Sequence, residues 1–127
     1  SINATKYALN LATLLGAHVT IVNCYEWNAS IAEVPSPLIR DIESTTKKRA
    51  EEILKTAGEI FAGRGVEYTL EPILGVPGSV LAQMAKSREY DLIIMGSHGH
   101  SDIAGLFLGS VTHKVLNTIY CPVLVVP

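Results

Sequence analysis

Several features that would mark a secreted, membrane-spanning or nucleic-acid-binding chain are missing here. Only two cysteines occur, Cys24 and Cys121, too few and too scattered for a disulfide framework or a four-ligand zinc site, so a reducing, cytoplasmic setting is expected. No apolar stretch approaches the roughly 20 residues that a membrane-spanning helix needs, and no basic segment followed by an apolar run opens the chain. Positive charge is not in excess: twelve acidic residues against ten basic ones give a net charge of −2, which leaves nothing to neutralise a phosphate backbone and excludes nucleic acid as the expected partner. The one basic cluster, Lys47, Lys48 and Arg49, is interleaved with Glu43, Glu51 and Glu52 at helical spacing and reads as a solvated helix face.

Apolar residues, by contrast, are plentiful. They make up 48% of 127 residues against 17% charged, the balance of one globular domain with a sizeable core. Ala4, Ala8, Leu11 and Leu15 recur at helical spacing from Asn3 to Leu15, with Ser1 or Asn3 as cap and Gly16 as stop. His18 to Tyr25 is a β-branched run and predicts a strand. Ser36-Pro37 opens a long helix whose apolar stripe is Ile39, Ile42, Ala50, Ile53, Leu54, Ala57 and Phe61, ended by Gly63-Arg64-Gly65. Val66 to Leu74 is the next strand. The turn Gly75-Val76-Pro77-Gly78-Ser79 leads into a short helix from Val80 to Ser87. Asp91 to Met95 is an almost wholly apolar strand, Ser110 opens a helix with Val111, Val115, Leu116 and Ile119 inward, and Pro122 to Val126 is the last strand. Alternating helices and apolar strands predict parallel β-α-β units with helices on both sheet faces. The chain opens on a helix with no strand before it, which a complete sheet of this kind does not do.

The chemistry concentrates after the strand ending at Met95. Gly96-Ser97-His98-Gly99 follows it directly, and Gly109-Ser110 starts the next helix after nine further residues. In an open parallel sheet, ligands sit beyond the carboxyl ends of the strands, where a helix start offers unpaired N–H groups to an anion. Gly96 and Gly99 are expected to allow positive φ and close backbone approach, and the N–H groups of Gly109, Ser110 and Val111, with the Ser110 hydroxyl, to hold phosphate oxygens. Taken alone, a strand–glycine turn–helix is also simply a tight connection. The spacing is neither G-x-x-x-x-G-K-[ST] nor G-x-G-x-x-G, which removes the main support for P-loop kinase and dehydrogenase readings.

The pattern G-x2-G-x9-G-[ST], met by Gly96, Gly99, Gly109 and Ser110, resembles the ATP-binding signature of the universal stress proteins. The resemblance runs along the chain: ATKYALNLATLLGAHVTIVNCY is similar to that family's first helix and second strand, YDLIIMGSHGH to its fourth strand and loop, and SVTHKVLNTIYCPVLVVP to its final helix and strand. The GVPG turn also occurs in the family. The resemblance implies a Rossmann-like α/β fold: an open five-stranded parallel sheet of order 3-2-1-4-5, with ATP, or AMP or ADP, at the switch point, with or without Mg, and homodimerisation through the last strand, Pro122 to Val126. It also implies that residues 1–127 form one such domain lacking its first strand. Ser1 corresponds to the serine of the Asp-x-Ser turn that ends this strand in the family. The strand and its aspartate would then lie outside this sequence, or the strand would come from another chain.

Carried over residue by residue, the resemblance puts Gly96, Ser97, His98 and Gly99 beside ribose and phosphate, Gly109, Ser110 and Val111 at phosphate, and Cys24 near adenine. Where family members often carry Arg or Lys after the second glycine, this chain has His100, with Asp102 close behind. That departure implies weaker or pH-dependent phosphate binding. The function implied is a cytoplasmic, ATP-binding stress-response regulator that acts by nucleotide-dependent association. Two alternatives stay open: slow ATP hydrolysis or autophosphorylation through His98 and Ser110, and a dimeric scaffold without nucleotide. No set of base, nucleophile and acid converges in the sequence. His98, His100 and Asp102 lack the further ligands of a dedicated metal site. His113 and Lys114, one turn into the final helix, are within reach of a phosphate but read first as solvent-exposed, and Cys121 as a small core residue. Ile103, Leu106, Phe107 and Leu108 fit a nucleotide cover, a partner contact or packing under the loop equally well.

Overall fold

The computed structural model describes residues 2–26, 36–97, 109–117 and 120–127. Helices and strands alternate in the order α1 (Ile2–Leu15), β1 (Val19–Tyr25), α2 (Ser36–Phe61), β2 (Tyr68–Leu74), α3 (Pro77–Lys86), β3 (Ile93–Gly96), α4 (Ser110–Leu116) and β4 (Val123–Val126). Each strand and helix predicted from the sequence is present, with ends that coincide or differ by up to three residues. Gly16 at φ 64°, and Gly63 and Gly65 at φ 71° and 75°, close α1 and α2 in the left-handed region, where a side chain is strained.

The strands form two parallel pairs. β1 runs beside β2 with Val19 opposite Tyr68 and Tyr25 opposite Leu74. β3 runs beside β4 with Ile93 opposite Val123 and Gly96 opposite Val126. Among the described residues β1 and β3 share no ladder, so the sheet is two two-stranded halves and not five continuous strands. α1 packs against β1, β3 and β4 and so bridges the halves. The helices fall into two packed pairs, α1 with α2 and α3 with α4, the arrangement of a sheet covered on both faces. No helix among the described residues is long and apolar enough to cross a membrane.

The core sits where these helices meet the strands. Phe61, Leu54 and Val115 are its largest fully buried side chains, and Phe61 meets the Tyr68 ring at a centroid distance of 5.5 Å. The stripe predicted for α2 holds at Ala50, Leu54 and Phe61, but Ile53 is 45% exposed, because it stands about 100° round the helix from Leu54. On α1 the buried face is Ala4, Leu9 and Ala12, while Leu15, expected inward, is 71% exposed next to the Gly16 stop. Asn3 is not a cap either: it lies inside α1, and its side-chain Nδ2 donates to the Pro127 carbonyl at 3.1 Å, tying the start of α1 to the end of β4.

Because Phe61 is 1% exposed and closes the α2–β2 contact, Phe61→Ala should lower the unfolding free energy by about 3–5 kcal/mol. Urea denaturation followed by circular dichroism measures this; a loss under about 1 kcal/mol would place the core elsewhere.

Candidate functional site

The carboxyl end of β3 is held by three short hydrogen bonds. The Ser97 N–H donates to the Val126 carbonyl at 2.8 Å, extending the β3–β4 pairing one residue past the strand. The Ser97 carbonyl then accepts the Gly109 N–H at 2.7 Å, which brings the start of α4 back to the strand that the chain left at Gly96. Thr112, 3% exposed in the first turn of α4, donates its hydroxyl to the Gly96 carbonyl at 2.7 Å. Residues on either side of the segment 98–108 thus meet in one buried corner, and Gly96, Ser97, Gly109 and Ser110 of the predicted site are brought together.

Two expectations are corrected there. Gly96 lies in extended strand and does not use the positive φ expected of it; Gly109 is likewise extended, at φ −59° and ψ 152°. Nor does the Gly109 N–H point to a phosphate: it is spent on Ser97. First-turn N–H groups have no partner within their own helix, which leaves those of Ser110, Val111 and Thr112 as the backbone donors of the corner. The Ser110 side chain is exposed and Val111 half-buried. Gly109 itself is buried, as a residue in close contact with the strand end must be.

His98 and Gly99 lie outside the described residues, as do His100, Asp102, Ile103, Leu106, Phe107, Leu108 and Trp27. Cys24 is not part of the corner. It stands in the other half-sheet, half-buried opposite Ile73 in the β1–β2 ladder, and burial pushes its thiol pKa up. Burial also raises the pKa of Cys121, and both thiols are free. No group of three or more His, Cys, Asp or Glu among the described residues is arranged to hold a metal ion.

Sequence reasoning missed Thr112, whose hydroxyl fixes the corner. The signal was there: a threonine two residues after Ser110 faces back toward the strand end. It was passed over because the apolar positions Val111 and Val115 set the helix face. Lys114 is exposed as expected, but it is not merely solvated, because its Nζ donates to the Ser79 hydroxyl at 3.1 Å. Two cavities among the described residues lie away from the corner. One, of about 390 Å³, is lined by Thr13, His18, Arg64 and Glu67 at the amino end of β1, and the other, of about 240 Å³, by Asp41, Ile42, Thr45 and Thr46 on α2.

An alternating α/β chain whose glycine-marked corner closes at the carboxyl end of a parallel strand is one of the nucleotide-site architectures of open sheets. Over residues 1–127 the sequence matches the model of the universal stress protein family, and the chain belongs to that family. It is 29% identical over 126 residues to universal stress protein MJ0531 of Methanocaldococcus jannaschii, covering 99% of this chain and 74% of that relative. Among solved structures it resembles protein MJ0577, a universal stress protein of the same organism, with a TM-score of 0.81 and 25% identity over 97% of this chain and 84% of that one. It also resembles a universal stress protein solved in complex with cAMP, with a TM-score of 0.70 and 25% identity over 99% of this chain and 88% of that one. The fold is therefore the Rossmann-like α/β fold of these proteins.

Thr112 supplies the most buried hydrogen bond of the corner. Thr112→Val keeps the shape but strands the Gly96 carbonyl, so it should cost about 1–3 kcal/mol in urea denaturation. An unchanged midpoint would mean that the bond does not hold the corner.

Proposed function

We propose that this chain is an adenine-nucleotide-binding regulatory domain of the universal stress protein family, with the phosphates of ATP, ADP or AMP at the Gly96–Ser110 corner. The observation that carries this reading is the closure of that corner: Gly96-Ser97 and Gly109-Ser110, the two described halves of the G-x2-G-x9-G-[ST] pattern, joined by a 2.7 Å hydrogen bond at a strand's carboxyl end. Ser110 and Val111 supply first-turn N–H donors, and the Ser110 hydroxyl adds a third. His98 and Gly99, within the same pattern, take the ribose and phosphate side, and Cys24 the adenine side. The related protein in complex with cAMP supports an adenine nucleotide as the ligand class. If Mg accompanies ATP, it is held chiefly by the phosphates.

In this reading a fifth strand, whichever chain supplies it, runs between β1 and β3 and completes the order 3-2-1-4-5. The support is the absence of a β1–β3 ladder in a fold where α1 packs on both strands. Nucleotide occupancy then acts on the segment between Gly96 and Gly109, and through it on association. No general base or nucleophile is needed for that role. Slow turnover remains an enzyme-class alternative, which would show as phosphate release lost in both His98→Ala and Ser110→Ala.

Titration of Mg-ATP by calorimetry tests the reading. Saturable binding is expected in the wild type and its loss in Gly109→Val, because φ −59° and ψ 152° accept a β-branched residue while its side chain adds bulk at the corner. No heat in the wild type, or equal binding by Gly109→Val, would contradict the reading and favour a scaffold without nucleotide.

The chain's association is proposed to run through β4, which pairs only with β3 among the described residues and is apolar throughout. Light scattering should give a dimer mass for the wild type and a monomer mass for Leu124→Lys; a monomeric wild type would refute it.

A further inference from the structure

The turn before α3 carries features that nucleotide binding alone does not use. Gly75 has φ 153°, and a Cβ added there would stand 2.6 Å from a Val80 methyl, so only glycine fits. Its N–H donates to the Tyr25 carbonyl at 2.9 Å, fixing the turn to the carboxyl end of β1 beside Cys24. Pro77 presets the first turn of α3. Gly78 is buried, and a Cβ there would come within 3.0 Å of Lys114 Cδ, 3.8 Å of its Cβ and 3.9 Å of its Cγ. The aliphatic stem of Lys114 therefore lies along the bare backbone of Gly78, and its ammonium reaches on to Ser79.

We infer that the turn Gly75–Ser79 and the Lys114 side chain form a clasp that ties α4 to the β1–β2 half-sheet, with Gly78 and Lys114 as positioning residues for the Gly96–Ser110 corner. Lys114 stands four residues after Ser110, one helical turn on. α4 starts where the Gly109 N–H and the Thr112 hydroxyl bond the end of β3. The route from β1 to the corner thus runs through Tyr25, Gly75, Gly78 and Lys114. Among the described residues β1 and β3 share no ladder, so the clasp is a tie between the halves additional to any strand that runs between them. The α1 contacts bridge the halves on one face, and the clasp bridges them on the other, where α3 meets both β1 and α4. The clasp itself stands on these contacts; only its consequence for ligand affinity rests on the nucleotide reading.

Two readouts separate the clasp from that reading. The first needs no ligand: native-state amide exchange in the wild type, Gly78→Val and Lys114→Met. Val at position 78 displaces the lysine stem, whereas Met at 114 keeps an unbranched stem and removes the ammonium with its bond to Ser79. Gly78→Val should speed exchange at Gly109 and His113 by about ten-fold or more while the β1–β2 amides stay unchanged, and Lys114→Met should shift it in the same direction by less. If Gly78→Val does not fold, Gly78→Ala should shift exchange in the same direction by less. Exchange at Gly109 unaltered in every folded Gly78 variant would overturn the clasp, whether or not nucleotide binds. The second readout compares ATP with adenosine. A positioning role predicts that Gly78→Val weakens ATP, whose phosphates this reading puts at the corner, more than adenosine, and that Lys114→Met weakens ATP by less than Gly78→Val does. Loss of ATP binding in Lys114→Met with exchange at Gly109 unaltered would make the lysine a direct phosphate ligand and overturn the positioning role. Absence of binding by the wild type would sink the nucleotide reading and leave the exchange result to decide the clasp.

Discussion

The peptide groups at the end of β3 have to be satisfied inside the protein, and the way they are satisfied organises everything around them. Ser97 is 9% exposed, and both its N–H and its carbonyl are committed, to Val126 and to Gly109. A buried peptide group left without a partner costs about as much as a lost hydrogen bond, so the chain leaving at Ser97 has to return at Gly109. Thr112 then removes the remaining freedom by bonding the Gly96 carbonyl from inside the first turn of α4. The start of α4 is fixed relative to β3 and β4, and its outward-facing first turn at Ser110 and Val111 is presented beyond the strand ends.

This corner is local, whereas a ligand as long as a nucleotide needs both halves of the sheet. Among the described residues the halves are two separate parallel ladders, β1 with β2 and β3 with β4, and helices pack across both. α1 joins them on one face through its contacts with β1, β3 and β4. The α3–α4 pair joins them on the other, with the Lys114 stem laid across Gly78 and its ammonium on Ser79. Helix packing of this kind depends on a few small residues that permit close approach, Gly78 among them.

Much of this was legible in the sequence. The alternation of helix and strand followed from apolar periodicity and from glycine stops at Gly16, Gly63 and Gly65, because those signals are local and strong. The glycine pattern located the corner, and the structure joins its described halves. The reason for the glycines was read less well: Gly109 is buried in ordinary extended backbone with its N–H committed to Ser97, a matter of tertiary contact that no local rule encodes. Thr112 and the Lys114 contact with Gly78 escape sequence reasoning for the same cause. Their roles depend on what lies opposite, Gly96 in one case and Gly78 in the other, and those partners are far along the chain. Leu15 and Ile53 face solvent because a helix face narrower than the apolar stripe meets the strands. The continuous order 3-2-1-4-5 came from resemblance, while the described strands form two separate pairs.

The most direct measurement of the central claim is a set of backbone amide resonances recorded with and without Mg-ATP. The account predicts saturable shifts at Gly96, Ser97, Gly109, Ser110 and Val111, with weaker ones at Cys24 and Tyr25. It predicts none at His18, Arg64 and Glu67, which line the cavity at the opposite end of β1. Shifts confined to that cavity, or no shifts at saturating nucleotide, would contradict the claim that the corner closed by Ser97 and Gly109 is the nucleotide site.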